Sequence, residues 1–285
     1  MNRTPSFDAL GFGFTVAAED ARLASYVNGL FAALRVPGPA QHRYHLGAAV
    51  EGSRSKAALL LDGECVSEAP DPEALVMRLV HDVNQQAVGG SDLLALHAGG
   101  VEHGDAAIVF PGGMEVGKTT LVAGLVRAGF GYLTDEAVAL DRQTLVIRPY
   151  PKPLCLDPGS WPLFPELEPH AELATASYKT EQWQVPPEAI RPDAPAGPCS
   201  VGLVVFPRFE PRAETTLEPI RRAAALVELA KATFGFRDES RVALDLLADL
   251  ARGADCYRLT MASLDPALEL VSRVAGVDRA GERVP

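Results

Sequence analysis

Eight consecutive residues, Gly112-Gly113-Met114-Glu115-Val116-Gly117-Lys118-Thr119, satisfy the pattern G-x-x-x-x-G-K-[ST] without a gap. The chemistry served by this spacing is phosphate binding. Glycines let the backbone curl so that successive N–H groups face phosphate oxygens, where side chains would block the approach. A helix starting beside Lys118 adds the positive end of its dipole. Lys118 is a compact mobile charge for the β and γ phosphates, and the Thr119 hydroxyl is suited to ligate Mg²⁺. The expected ligands are therefore ATP and Mg²⁺, with Gly112, Gly113, Met114, Glu115, Val116, Gly117, Lys118, Thr119 and Thr120 forming the nucleotide-binding run. Lysine is scarce, five against 21 arginines, so a lysine set beside glycines is more informative than usual.

A phosphate loop needs a second metal partner, usually an acid at the end of a neighbouring strand. The next acid pair is Asp135-Glu136, within Tyr132-Leu133-Thr134-Asp135-Glu136-Ala137-Val138-Ala139-Leu140, sixteen residues beyond Thr119. That interval holds only a helix and a turn, which is short for an ordinary P-loop hydrolase. Taken alone, Asp-Glu is also a common surface pair. A lone histidine near a strand end, such as His97, is by itself more often structural than catalytic.

The elements needed to position these groups are legible. Leu93 to His97 reads as a strand, His103-Gly104-Asp105 as a turn and Ala106 to Phe110 as a strand leading straight into the loop. Thr119 to Ala128 reads as a helix stopped by Gly129, and Tyr132 to Leu140 as the next strand. Strand, glycine-rich loop, helix, strand is the order a phosphate-binding unit requires. Residues 1–90 read as a small α/β unit: a strand at Phe12 to Val16, a helix from Asp20 to Leu34 and paired strands at Tyr44 to Val50 and Ala57 to Leu61. A charged turn at Glu51 to Lys56 joins that pair, and a helix capped by Asp71 runs to about Ala87. Residues 91–285 form the second domain. Its stretch 148–198 is dense in proline, which forbids long regular elements. It reads as an irregular excursion or a flexible linker, and its aromatics Tyr150, Trp161, Phe164 and Trp183 favour packing. Val201 to Phe206 and Cys256 to Thr260 read as strands; Ala223 to Thr233, Val242 to Arg252 and Pro266 to Val274 read as helices.

Composition narrows the partners. A net charge of −11 over 285 residues argues against a nucleic-acid surface, which needs clustered cations. No apolar run approaches the roughly 18 residues needed to cross a bilayer, and Met1 to Leu10 lacks a secretory pattern. Cys65, Cys155, Cys199 and Cys256 form no C-x-x-C pair and read as four buried thiols in a reduced cytoplasm. The remaining histidines (His42, His45, His81, His103 and His170) do not pair with acids at metal-ligand spacing.

Leu96-His97-Ala98, the strand into Gly112 to Thr119, then Gly129 and Tyr132-Leu133-Thr134-Asp135-Glu136, resemble the catalytic core of the HPr kinase/phosphorylase family. Arg148-Pro149-Tyr150-Pro151-Lys152-Pro153-Leu154 is similar to a segment of HPr-kinase-like proteins of biosynthetic clusters, including lasso-peptide kinases. The resemblance covers about residues 93 to 156, and more loosely extends to about 235 through Val204-Val205-Phe206-Pro207-Arg208. It implies a P-loop kinase core related to phosphoenolpyruvate carboxykinase, following the small N-terminal α/β unit. By that resemblance Asp135 is the general base, Glu136 joins Thr119 in holding Mg²⁺, Lys118 meets the phosphates, and His97 tunes the base. Arg148, Lys152 and Arg208 are candidates for a further cation. Three departures stand out: Met114 where the family has a small residue, Glu136 where it has Asp, and no glycine-rich signature after the acids. The last argues against HPr itself as the substrate.

The resulting expectation is an ATP-dependent kinase acting on a hydroxyl of a peptide, protein or small metabolite. The excursion and the N-terminal unit would form its acceptor cleft, and its oligomeric relatives imply a homo-oligomer. The alternative is a nucleotide-binding sensor or assembly module without transfer, favoured by Met114 and Glu136. A motor or transporter ATPase fits less well, since it needs a further strand ending in an acid.

Overall fold

Turn residues punctuate the first ninety positions so closely that only short strands fit between them. The computed structural model describes residues 4–49, 56–169, 181–236 and 240–276, so the expected turn at 51–56, apart from Lys56, lies outside the described residues, as does His170. The chain is a mixed α/β protein of two units, Met1–Ser91 with Lys152–Ala189, and Asp92–Pro151 with Ile190–Pro285.

In the first unit β1 (Ser6–Ala9) and β2 (Phe12–Ala18) form a hairpin. The Asp20 carboxylate then accepts from the N–H groups of Arg22 and Leu23, starting α1 (Ala21–Leu30). The helix expected to reach Leu34 ends earlier, its last turn tightening into a 3₁₀ turn at Ala32–Leu34. There follow β3 (Arg35–Val36), β4 (His42–Ala48), β5 (Ala57–Leu61), β6 (Glu64–Ala69) and α2 (Leu75–Gly89). The sheet order is β3-β1-β2-β4-β5-β6. Its core is aromatic: Phe7, Phe14, Phe31 and Tyr44 are fully buried, with ring centroids 5.3–5.8 Å apart. Residues 152–189 contribute two three-residue strands, Leu154–Leu156 and Trp183–Val185, paired antiparallel. Trp161 stacks on Trp183 at 4.7 Å and 4°.

In the second unit, among the described residues, eight strands make one mixed sheet. They are β7 (Leu94–His103), β8 (Ala106–Pro111), β9 (Gly131–Thr134), β10 (Ala137–Leu140), β11 (Val146–Arg148), β12 (Cys199–Phe209), β13 (Thr216–Pro219) and β14 (Asp255–Met261). The order is β11-β10-β7-β8-β12-β14-β13, with β9 also on β7 and β11 also on β12. The parallel pairs are β8–β12 and β12–β14. Four helices accompany it, α3 (Lys118–Arg127), α4 (Arg222–Ala232), α5 (Ser240–Gly253) and α6 (Leu264–Val274).

Alternation along β7 sorts the layers. Leu94, Leu96 and Ala98 enter one core with Ala107, Val109 and Val204 of the sheet, Ala225 and Leu229 of α4, and Ala243 and Leu247 of α5. Gly99 belongs to the other face, where α3 lies. β7 runs through Gly99-Gly100 to His103, well past the expected end at His97, and Gly99 admits a close helix rather than breaking the strand. A Cβ on Gly99 would stand 2.7 Å from Cγ2 of Val122 in α3.

Burial of the four thiols is corrected: Cys256 is buried, Cys155 and Cys199 are half-buried and Cys65 is exposed, and none of the four is in a disulfide. Cys65 lies on β6, a strand too polar to bury a face. Among the described residues no helix is long and apolar enough to cross a membrane.

Because Val122 is short and β-branched, it cannot swing away from an added methyl. Gly99→Ala is expected to destabilise the protein by about 1–3 kcal/mol, read from its denaturant midpoint; an unchanged midpoint contradicts this packing.

Candidate functional site

The phosphate-loop motif fills the connection from β8 to α3. Two left-handed residues shape it, Glu115 at φ 62° and Gly117 at φ 88°. Glycine accepts that conformation freely, whereas for Glu115 it costs about 1–3 kcal/mol, a strain typical of functional loops. A Cβ on Gly113 would meet nothing within 4 Å, so the mouth of the loop is open there. The first bond of α3 runs from the Leu121 N–H to the Gly117 carbonyl at 3.0 Å. The amides preceding Leu121 emerge at the helix start and take acceptors from outside the helix, which suits an anion.

Lys118 is 6% exposed. Its Nζ donates to the carbonyls of Gly112 at 2.9 Å and Gly113 at 2.6 Å, bracing the first half of the loop from within. The same Nζ lies 3.2 Å from Nε2 of His97. Burial holds the Lys118 pKa below its usual value, while Glu136 and then Asp135 pull it back up.

The acids sit at a break in a strand. β10 pairs with Leu94–His97 of β7, and β9 pairs with Gly100–Glu102, so Asp135-Glu136 fills the interval between them. The single strand expected over Tyr132 to Leu140 is thus two strands. The Thr134 hydroxyl accepts from the N–H groups of Glu136 and Ala137, both at 3.3 Å, and the Ala98 N–H donates to the Glu136 carbonyl at 3.1 Å. This local rearrangement sends the two side chains into different surroundings. Asp135 is fully buried; its Oδ2 accepts from the Thr119 hydroxyl at 3.2 Å and its Oδ1 from the Tyr132 hydroxyl at 3.0 Å. The Glu136 side chain is 35% exposed, with Oε1 3.5 Å from Nε2 of His97.

His97 ties strand, loop and acids together. Its carbonyl accepts from the Gly112 N–H at 3.1 Å, and its ring lies 5.6 Å from that of Phe234. Burial, then the Lys118 ammonium, lowers its pKa below 6.5, with Glu136 and Asp135 opposing in part. The imidazole is therefore neutral at neutral pH.

His97, Lys118, Thr119, Asp135 and Glu136 form one cluster. Thr120 occupies the first turn of α3, and Met114 stands at the outer lip of the loop, 84% exposed. Arg208 pairs with Glu210 at 2.5 Å, and Arg148 is exposed on β11. Lys152 belongs to the first unit, buried, donating to the Pro153 carbonyl at 2.9 Å. Tyr132 and Phe234 are partners that the sequence did not disclose. Tyr132 and Asp135 are three apart and would face opposite ways in an unbroken strand, and Phe234 arrives from a distant helix end.

The cation question is answered by donor type. Among the described residues no group of three or more His, Cys, Asp or Glu side chains is arranged to cage a metal. A hydroxyl beside a carboxylate nonetheless suits Mg²⁺, which takes one or two protein oxygens and completes its shell with phosphate and water.

The NMR titration midpoint of the His97 ring is expected below 6.5, moving upward in Lys118→Met once the ammonium is gone; a midpoint that stays put contradicts the contact. The sign for stability follows. The unfolded chain binds this proton more readily, so the contribution of His97 is full above 6.5 and is lost as pH falls toward the folded value.

Compared with known proteins, the chain matches no family model and no curated protein.

Proposed function

We propose that the chain is an ATP-dependent kinase with a P-loop core of the HPr kinase/phosphoenolpyruvate carboxykinase type, transferring the γ-phosphoryl group to a hydroxyl of a peptide, protein or small metabolite. One observation carries this reading. The phosphate loop and the acid pair, separate in sequence, are joined by the Thr119–Asp135 hydrogen bond at 3.2 Å and by His97, which lies 3.2 Å from Lys118 and 3.5 Å from Glu136. A surface Asp-Glu pair, or a loop serving only as a turn, would have no need of such an arrangement.

Phosphoryl transfer asks for positioning and charge neutralisation more than for covalent chemistry. The loop amides and Lys118 hold the phosphates, and the dipole of α3 favours their charge. Mg²⁺, held through Thr119 and a carboxylate, would neutralise charge on the transferring group. A carboxylate takes the proton of the acceptor hydroxyl. Use of ATP as donor puts the reaction in the cytoplasm, and the family resemblance carries with it the proposal of a homo-oligomer.

A second reading, a nucleotide sensor or assembly module, draws on Met114, an apolar side chain 84% exposed at the lip of the loop and suited to a partner contact. Turnover of ATP that rises with added acceptor separates the two.

Lys118→Ala is expected to weaken Mg·ATP binding by about 10- to 100-fold, the worth of charge-assisted hydrogen bonds, measured by calorimetry on protein shown to be folded by circular dichroism. Equal affinities in variant and wild type contradict the proposal.

A further inference from the structure

We infer that Lys152 and Cys155 are an oxidisable pair, which hydrogen peroxide joins through a sulfur–nitrogen (sulfenamide) bond that thiols reverse. The pair lies in the first unit and does not depend on the kinase reading above. Lys152 is 1% exposed, and its Nζ donates to the Pro153 carbonyl at 2.9 Å. From there Nζ stands 3.5 Å from Sγ of Cys155. Across the ribbon, Cys155 is paired with Gln184, and its thiol donates to Oε1 of that residue at 3.1 Å. Gln184 is 2% exposed and donates to Gln182 at 2.9 Å, which donates to Asp157 at 2.8 Å. The sulfur is held between a fixed amide and an amine at contact distance.

The other thiols have different surroundings. Burial, then Glu102, pushes Cys199 up to about 11, and burial, then Asp255, raises Cys256, so both stay protonated at neutral pH. The thiolate is the reactive form, and these two are inert. Cys65 is exposed, its sulfur 3.6 Å from the Ser67 carbonyl, an oxygen that cannot bond to it. Cys155 is half-buried, open to a molecule as small as hydrogen peroxide. Lys152 places a positive charge where the negative charge of an attacking sulfur develops.

The chemistry balances with one peroxide. The thiol gives its proton to solvent, and the sulfur attacks one peroxide oxygen. The sulfur–oxygen bond forms as the oxygen–oxygen bond breaks, so Cys155 is oxidised to a sulfenic acid and hydroxide leaves. The hydroxide takes a proton from the Lys152 ammonium and becomes water. The free amine then attacks the sulfur, the sulfur–oxygen bond breaks, and a second water leaves with the oxygen and a proton of the amine. The product closes a ring over Pro153 and Leu154 at the entry to the ribbon. It also removes the Lys152 charge and the donation from the thiol to Gln184.

Peptide mass spectrometry on the full chain tests the pair. Trypsin releases residues 143–179 as one peptide, because Arg148 and Lys152 each precede proline, and Cys155 is its one cysteine. After hydrogen peroxide, then iodoacetamide under denaturing conditions, this peptide is expected to escape alkylation and to weigh two hydrogens less than its thiol form. Fragment ions cut between Lys152 and Cys155 are expected to be missing, and dithiothreitol before alkylation restores both the thiol and the fragments. Lys152→Met is expected to abolish the two-hydrogen loss and to leave a sulfenic acid that dimedone captures at Cys155. If that variant does not fold, the wild-type fragments decide alone. The inference is overturned if the peptide keeps its free thiol, if it gains oxygen with the fragments between Lys152 and Cys155 intact, or if Cys155 joins another cysteine. The same two-hydrogen loss in Lys152→Met also overturns it.

Discussion

The buried ammonium of Lys118 is the constraint around which the second unit is built. Taking such a charge out of water costs several kcal/mol unless hydrogen bonds and opposite charge replace the lost hydration. Here the carbonyls of Gly112 and Gly113 do the first, at 2.9 and 2.6 Å, and the carboxylates of Glu136 and Asp135 do the second. The loop must therefore fold back over its own lysine, and the acids must lie near enough to be felt. On the proposed reading, a phosphate chain entering the loop would add negative charge to a lysine whose surroundings already hold it in place.

That arrangement depends on backbone features well away from the loop. α3 approaches β7 closely because Gly99 leaves room for Val122, and this approach sets the helix start beside His97. On β7, alternation sends Leu96 and Ala98 into the apolar core with α4 and α5, leaving the intervening His97 on the face of α3. The break between β9 and β10 then separates neighbouring carboxylates, one sealed against Thr119 and Tyr132, the other open beside His97. An unbroken strand would also send adjacent side chains to opposite faces, but it could not bring Tyr132 and Asp135 together.

How much of this was legible in the sequence depended on how local the determining physics was. The loop, α3 and its glycine stop were readable because spacing within a dozen residues specifies them; Gly129 does adopt φ 106° after the helix. The core strands β8, β12 and β14 and helices α4 to α6 were readable from apolar periodicity. The acid pair was visible as a candidate, but the different environments of its two members were not, since they arise from pairing with β7. β1, β3, β11 and β13 were missed as strands of four residues or fewer, and β6 because its polar sequence shows no alternation. The ribbon joining Leu154–Leu156 to Trp183–Val185 brings together segments nearly thirty residues apart, and proline density conceals the short strands at either end.

Backbone amide resonances followed while Mg·ATP is titrated into the protein test the central claim most directly. The account predicts shifts concentrated at residues 112–120, at His97 and at Thr134 to Ala137, saturating together at one affinity that falls when Mg²⁺ is removed. Resonances that do not move, or that move only in the first unit, would contradict it.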